Sequence, residues 1–247
     1  MATKERKELI LELLRNESRF VTVEQLSERL FVSGATIRRD LAELEKSKLI
    51  QRTRGGAILL ESIAAEAPMV LRETRNETQK QIIAVVAREY IKDGMTVFMD
   101  SSSTVFTLAR SLPAFGNLQV ITNNLKIAWL LSGRKGITLV MAGGWLKERS
   151  MSFFGHSTVQ FLSRFNADAA FLSAMGFSFE NGSSEATEEE YFVKRAYLSN
   201  AKKKYLLVDT SKQDRDFLYR TSPLSAYTGV ITESRPLNET LSQLRAK

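Results

Sequence analysis

Apolar side chains in the first 60 residues recur at the spacing of α-helices and then at that of short strands. The helical pattern predicts helices over residues 4–14 and 24–30, and a third that begins with Ser33 as its N-cap. Two apolar runs, 49–50 and 57–60, flank a glycine turn and predict a β-hairpin. Three helices followed by a hairpin predict a winged helix-turn-helix domain.

The pattern changes after residues 61–76, where periodicity lapses and where we expect a linker. Strands are then expected at residues 95–99, 118–121, 137–141, 169–172, 204–208 and 227–231, and helices at 78–91, 105–111, 125–131, 158–165, 188–199 and 237–244. Several of these strands are apolar throughout, as in a parallel sheet with helices on both faces. We therefore predict an α/β chain of two domains, a winged helix at residues 1–60 and an α/β domain at 77–247.

The third predicted helix has a polar, cationic face opposite its apolar one. Arg38 and Arg39 lie in its first turn and a half, the end at which a recognition helix meets base edges in the major groove. Two further arginines lie in the predicted hairpin. A solvated three-helix domain is the alternative, but the order of the elements and the positions of the arginines favour DNA binding. The expected DNA contacts are Ser33, Ala35, Thr36, Arg38, Arg39, Arg52 and Arg54.

Composition narrows the classes of function. The 247-residue chain is 43% hydrophobic, enough for a core, and its formal net charge of +7 favours a polyanionic partner. The absence of cysteine excludes disulfides and thiolate chemistry, and the single histidine, His156, argues against a histidine-based triad or a multi-histidine metal site. No apolar run approaches the ~20 residues that span a bilayer, and the N-terminus lacks a secretion signal. We expect a cytoplasmic protein without membrane contacts, metal, cofactor or catalytic residues.

Four predicted strands end in loops that carry hydroxyl, amide, glycine or lysine groups: residues 100–104, 121–124, 142–144 and 208–212. In α/β folds, ligands bind at the carboxyl ends of the strands. The first loop offers hydroxyls and backbone N–H groups at the start of a helix, and the last offers a lysine, so both suit a phosphate or carboxylate. Any one of these loops could simply cap a helix, but four together favour a ligand site.

Two charged runs and the histidine receive structural interpretations. We interpret the acidic run 183–190 as a loop and the first turn of a helix, because carboxylates favour the positive end of a helix dipole. The lysines within 200–204 are interpreted as favourable charges at the C-terminus of that helix. His156 is interpreted as a residue at the start of a helix rather than as a ligand contact.

The run VTVEQLSERLFVSGATIRRDLAELEKSKLIQRTRGGA resembles the N-terminal helix-turn-helix of the DeoR family of bacterial sugar-metabolism regulators. Lys48 stands where that family commonly has glycine, and Arg54 where it commonly has histidine. The resemblance continues through FMDSSST, VITNN, MAGGWL and LLVDTSK, which are similar to the family's phosphate loop, I-T-N loop, G-G loop and V-D-S-S-K strand end. Here Ser102 replaces the usual glycine of the phosphate loop, Phe192 replaces a frequent acid, and Gln213-Asp214 replaces a frequent Phe-Gly.

The resemblance implies that the second domain is similar to ribose-5-phosphate isomerase and binds phosphorylated sugars or related metabolites as effectors. Carried over by position, the effector-binding residues are Asp100, Ser101, Ser103, Thr104, Asn123, Gly143, Gly144 and Lys212. It further implies a homo-oligomer, a dimer or tetramer, in which the second domain also mediates assembly.

The expected function is therefore sequence-specific repression of a carbohydrate-use operon, with double-stranded operator DNA as partner and a phosphorylated sugar as inducer. One alternative is a sugar-phosphate isomerase with a DNA-binding appendage, in which Asp100 and Lys212 would serve acid–base chemistry. It ranks lower because the sequence places no second carboxylate clearly beside Asp100. A nonspecific architectural protein is disfavoured by the large ligand-type domain.

Overall fold

The computed structural model describes residues 3–16, 21–47, 49–53, 55–59 and 69–234. The chain divides into two compact units, Met1–Ala67 and Pro68–Lys247. The division falls inside the segment expected to be a linker. Within the described residues, no helix is both long and apolar enough to cross a membrane.

The first unit is a winged helix, as predicted. Its elements are α1 (Thr3–Asn16), β1 (Val21–Thr22), α2 (Val23–Leu30), α3 (Gly34–Lys46), β2 (Ile50–Thr53) and β3 (Gly56–Leu59). The strands form an antiparallel sheet in the order β1-β3-β2, and Gly55 turns the hairpin with φ at +87°. Glycine suits this position because residues with a Cβ rarely adopt a positive φ.

Local chemistry fixes where the helices of this unit begin and end. The Thr22 hydroxyl accepts from the N–H of Gln25 while the Gln25 side chain accepts from the N–H of Thr22, a capping box at the start of α2. Phe31 ends α2 in the left-handed conformation with φ at +54°, and its side chain is 93% exposed. The apolar faces of all three helices meet in one core that includes Ile10, Leu26 and Ile37.

The second unit is built around a parallel sheet. Its elements are α4 (Met69–Thr74), α5 (Glu77–Arg88), β4 (Thr96–Met99), α6 (Ser103–Ala109), β5 (Leu118–Thr122), α7 (Leu125–Leu131), β6 (Ile137–Met141), β7 (Trp145–Lys147), β8 (Ser152–Phe154), α8 (His156–Leu162), β9 (Ala167–Leu172), β10 (Gly176–Ser178), β11 (Gly182–Glu185), α9 (Glu188–Ser199), β12 (Ala201–Leu207), β13 (Tyr219–Ser222) and β14 (Gly229–Ile231). Six strands pair in parallel in the order β14-β12-β9-β4-β5-β6.

Alternate residues of the central strands enter cores on opposite faces of the sheet. Val97 and Met99 of β4 pack with residues of α5, α6 and α7, whereas Phe98 packs with residues of α8 and α9. This two-sided burial explains why the strands are apolar throughout, and it confirms the predicted α/β class with helices on both faces.

The structure also departs from several expectations. Residues 183–185, expected to lie in a loop, belong to the buried strand β11, which pairs with β10 and β13 in a small antiparallel sheet. The prediction that the lysines within 200–204 lie at a helix C-terminus was wrong, because residues 201–207 form β12. The second part of the expected linker, 69–74, is the helix α4. The helix expected at 237–244 lies outside the described residues.

Candidate functional site

The N-terminal end of α3 presents the residues expected to read DNA. Ile37 is fully buried, whereas Ala35, Arg38 and Arg39 are exposed. The Ser33 hydroxyl, also exposed, accepts from the N–H of Thr36 at 3.2 Å and lies 2.9 Å from the Thr36 hydroxyl. The Ser33 hydroxyl thus caps the helix, and the cationic side chains remain on the outer face.

A buried ion pair fixes α3 against α1. The carboxylate of Asp40, which is 1% exposed, accepts from Arg6 Nε at 2.6 Å and from Arg6 Nη2 at 3.1 Å. A second pair joins Lys7 to Glu43 on the same two helices. The sequence pattern did not reveal Asp40 as a structural residue, because its partner lies 34 positions away. This two-point contact sets the orientation of the helix that carries Arg38 and Arg39.

The wing is tied to the last turn of α3. The N–H of Arg52 donates to Glu45 Oε1 at 3.0 Å, and the exposed Arg52 guanidinium lies 3.8 Å from Glu45 Oε2. Part of the positive charge of Arg52 is therefore already compensated in the free protein. Arg54 lies outside the described residues.

The four strand-end loops predicted to carry the ligand site lie at one edge of the parallel sheet, after β4, β5, β6 and β12. In the first loop Asp100 is buried, and its carboxylate accepts from the N–H of Ser102 at 2.9 Å and from that of Ser173 at 2.8 Å. Ser101, Ser103 and Thr104 are buried as well. Thr104 Oγ1 has no hydrogen-bond partner within the described part of the chain.

Asn123 and the glycine loop make contacts within the protein. Asn123 Nδ2 donates to the carbonyl of Phe153 at 2.8 Å, and its Oδ1 accepts from the Tyr197 hydroxyl at 3.0 Å. The carbonyl of Gly143 accepts from Thr158 Oγ1 at 2.8 Å. A Cβ on Gly144 would lie 2.2 Å from that same hydroxyl oxygen, so only glycine fits there. These positions organise the edge of the site.

Two lysines meet at Ser173, the residue after β9. Lys212 Nζ donates to Ser173 Oγ at 3.1 Å and to the carbonyl of Ala174 at 2.6 Å. Lys194 Nζ donates to the Ser173 carbonyl at 2.7 Å and to Glu185 Oε1 at 2.6 Å. Ser173 therefore contacts both ammonium groups, one through its hydroxyl and one through its carbonyl.

Lys194 also lies 3.6 Å from Asp100 Oδ2. Burial opposes its charge, but the carboxylates of Glu185 and Asp100 outweigh burial and raise the pKa of Lys194. The sequence did not clearly place a second carboxylate beside Asp100, but in the structure Glu185 shares Lys194 with it. Sequence reasoning missed Glu185 because it assigned residues 183–190 to a loop and an exposed helix start.

Lys80 is a further cation that sequence reasoning missed. It is buried on α5, and its Nζ donates to the carbonyls of Arg72 and Arg75. Burial, together with the positive charges of Lys212, Arg72 and Arg75, lowers the pKa of Lys80 to about 8 against the opposing effect of Asp209. In the sequence, nothing distinguishes Lys80 from an ordinary exposed lysine of an amphipathic helix.

The corner between α4 and α5 is attached to the strand end that carries Lys212. Asn76 Nδ2 donates to Asp209 Oδ1 at 3.0 Å and to Ser211 Oγ at 3.1 Å. The site thus combines ammonium groups, a buried hydroxyl and backbone N–H groups, which together suit an anionic, hydroxylated ligand. In the described ranges, no group of three or more His, Cys, Asp or Glu side chains could hold a metal ion.

Both units match known protein families. Residues 6–63 match the DeoR-like helix-turn-helix domain, and residues 75–234 match the DeoR C terminal sensor domain. The chain is 34% identical over 227 residues to the Glycerol-3-phosphate regulon repressor of Escherichia coli (strain K12), an alignment that covers 92% of this chain and 89% of that protein.

A second relative is the HTH-type transcriptional repressor GlcR of Bacillus subtilis (strain 168), 35% identical over 242 residues, with 96% of this chain and 90% of that protein covered. Among solved structures, ribose 5-phosphate isomerase A from Methanocaldococcus jannaschii is similar with a TM-score of 0.42 and 19% identity, over 56% of this chain and 55% of that one.

Proposed function

Since the chain belongs to the DeoR family of DNA-binding transcriptional regulators, we propose that it represses a carbohydrate-use operon and leaves its operator when a phosphorylated sugar binds. The names of two relatives support the proposal, one a repressor of the glycerol-3-phosphate regulon and the other a transcriptional repressor. The observation that carries it is the Lys212 ammonium after β12, bonded to Ser173, with the buried Lys80 of α5 near enough to be affected by its charge.

On the DNA side, we assign base contacts to the N-terminal end of α3 and phosphate contacts to the wing. Ser33, Ala35, Thr36, Arg38 and Arg39 occupy the end of the helix that enters the major groove. Arg52 lies in β2, and Arg54 follows β2 in the sequence; both would contact the phosphate backbone.

On the effector side, Lys212 and Lys80 supply positive charge for the phosphate group. Thr104 Oγ1, Ser101, Ser103 and the N–H groups at the start of α6 supply donors beside it. Asp100 and Asn123 shape the neighbouring loops and would contact hydroxyl groups of the sugar. The backbone at Gly143 and Gly144 would contact the same hydroxyl groups.

Repression and induction follow from two states with different affinities for DNA. A homo-oligomer, dimer or tetramer, would present two winged helices to half-sites a fixed distance apart. An effector that binds more tightly to a second arrangement shifts the population toward that arrangement. It then weakens operator binding by the same factor by which the operator weakens effector binding. The second unit would therefore both bind the effector and hold the oligomer together.

The proposal is tested in two steps. An operator is first selected from random duplexes with the full-length chain, and thermal shift is then measured with a panel of three- to six-carbon phosphosugars, each beside its unphosphorylated form. We expect one phosphorylated compound to raise the melting temperature and release the operator, and Lys212→Ala to lose both effects while still binding operator. If no sequence is preferred over random DNA, or if unphosphorylated partners act equally, the proposal fails.

An isomerase remains the second candidate, because Glu185 and Asp100 share Lys194 at the same strand ends as Lys212. Such a group of acids and bases suits proton transfer next to a carbonyl. We infer that it serves binding rather than turnover. Incubation with phosphopentoses, with Asp100→Asn as control, tests this: conversion by the parent that the variant lacks would assign an enzyme.

A further inference from the structure

The chain enters its second unit through α4, and this helix is held at several points. The N–H of Met69 donates to the carbonyl of Arg149 at 2.7 Å. Glu73, near the other end, pairs with Lys126 of α7 and lies 3.8 Å from Arg110 Nη2, which follows α6. These contacts attach α4 to two helices that cover the sheet.

The C-terminal end of α4 depends on a different residue. A helix leaves its last carbonyls without partners inside the helix, and a lysine can supply the missing donors. Here the Lys80 ammonium donates to the carbonyls of Arg72 and Arg75. Lys80 lies on the next helix, α5, so one buried side chain holds the end of α4 in place.

The link between α4 and α5 faces the candidate effector site. Asn76 takes the left-handed conformation with φ at +52°, and its side chain bonds to Asp209 and Ser211 beside Lys212. Lys80 lies on the helix that Asn76 begins, and the positive charge of Lys212 contributes to the lowered pKa of Lys80. An anion bound at Lys212 therefore lies within the electrostatic reach of Lys80.

We propose that Lys80 and Glu73 are positioning residues that couple effector binding to DNA release through α4. An anion competes with the carbonyls of Arg72 and Arg75 for the Lys80 ammonium. Since a charged acceptor forms a hydrogen bond about twice as strong as a neutral one, the anion takes the ammonium and the end of α4 is released. Because α4 follows the DNA-binding unit in the chain, its release changes how an oligomer presents its winged helices. This inference rests on the effector site proposed above.

The Glu73 ion pairs make the coupling testable apart from the site. Glu73 contacts Lys126 and Arg110, not the strand-end cations, so Glu73→Gln weakens the attachment of α4 without removing a ligand contact. If the effector prefers the released helix, weakening that attachment must favour both release and effector binding. We therefore expect Glu73→Gln to bind anion several-fold more tightly and operator several-fold more weakly. Glu89→Gln, an exposed acid past the end of α5, is the matched control.

The experiment uses the full chain and inorganic phosphate as the probe, with chloride at equal ionic strength as reference. Hydrogen exchange of peptides covering residues 69–76 should speed up with phosphate in the parent and already be fast in Glu73→Gln. Lys80→Gln should show fast exchange without phosphate and no further change with it.

Three results would overturn the inference. If phosphate slows exchange in residues 69–76, the helix is not released. If Glu73→Gln matches Glu89→Gln in phosphate and operator affinity, α4 does not couple effector binding to operator binding. If the parent binds no phosphate at all while the selected operator is still recognised, the effector site itself is misplaced and the coupling falls with it.

Discussion

The exposed arginines of α3 and of the wing differ in what they can contact on DNA. Arg38 is exposed on the face of α3 that we propose reads base edges, so Arg38→Ala should cost about 1–3 kcal/mol on the operator and relax preference at one position. Arg52→Ala should weaken operator and random duplexes alike and reduce the salt dependence, to a degree limited by its contact with Glu45. Titrations on both duplexes at several salt concentrations separate these outcomes; equal behaviour of the two variants would contradict the assignment.

The Asp40 carboxylate is buried with Arg6 as its partner, so its removal leaves a cation without its acceptors. Asp40→Ala should lower the free energy of unfolding of the first unit by about 1.5–3 kcal/mol, the range for hydrogen bonds to charged groups. Lys7→Gln, which breaks the more exposed neighbouring pair, should cost well under 1 kcal/mol. Urea unfolding followed by circular dichroism measures both, and similar losses would show that burial of Asp40 is unimportant.

The lowered pKa of Lys80 predicts a pH dependence. The ammonium loses its proton as pH rises through about 8, so phosphate affinity should fall between pH 7 and 9. In Lys80→Arg the charge persists, and the fall should be smaller, leaving the contribution of Lys212, whose pKa is also lowered by burial. Without ligand, the free energy of unfolding has the opposite pH dependence. The unfolded chain holds the Lys80 proton more tightly, up to the ordinary pKa of 10.5, so the contribution of Lys80 to the free energy of unfolding increases as the pH rises from 8 to 10.5. Calorimetry across this range would contradict the assignment if parent and Lys80→Arg gave the same slope.

At the scale of elements, α9 is attached to the rest of its unit by Lys194. Lys194→Met would leave Glu185 and Asp100 without their shared cation, and we expect a loss of about 3–5 kcal/mol in the free energy of unfolding. Adding Glu185→Met should recover much of the loss, because an apolar pair often replaces a buried ion pair at little cost. Urea unfolding of the single and double variants provides the measurement; a double variant no more stable than the single would show that Asp100 is the main partner.

The elements that sequence predicted best are those whose burial is uniform or periodic. The apolar runs of β4 and β9 and the apolar face of α3 follow from such patterns. Strand β11 was missed because its buried side chains are serines and a glutamate, which resemble a loop until β10 and β13 pair with them. The same holds for the site: Asp100 and Lys212 follow recognisable strands, whereas Lys80, Glu185 and Lys194 gain their roles from contacts that only the folded chain brings together, such as those of Lys194 with Asp100 and Ser173.

At the scale of the whole molecule, recognition and sensing belong to different units, and the chain passes from one to the other at Ala67–Pro68. The helix α4 begins immediately beyond, so it belongs to the sensing unit in structure although it lies next to the DNA-binding unit in sequence. A signal that must pass along the chain has this helix as the first described element on the sensing side.

The position of α4 decides what a hybrid regulator would inherit. A foreign winged helix fused at residue 68 keeps α4 with its sensor, and we expect that hybrid to repress its own operator and to respond to the same effector. A fusion at residue 77 discards α4 and the Asn76 contacts, and it should repress constitutively while still binding the effector. A reporter gene under the foreign operator, read with and without effector, distinguishes the two. If both hybrids respond, the segment needed for the response is smaller than the second unit. If only the first responds, the transferable sensor begins at α4.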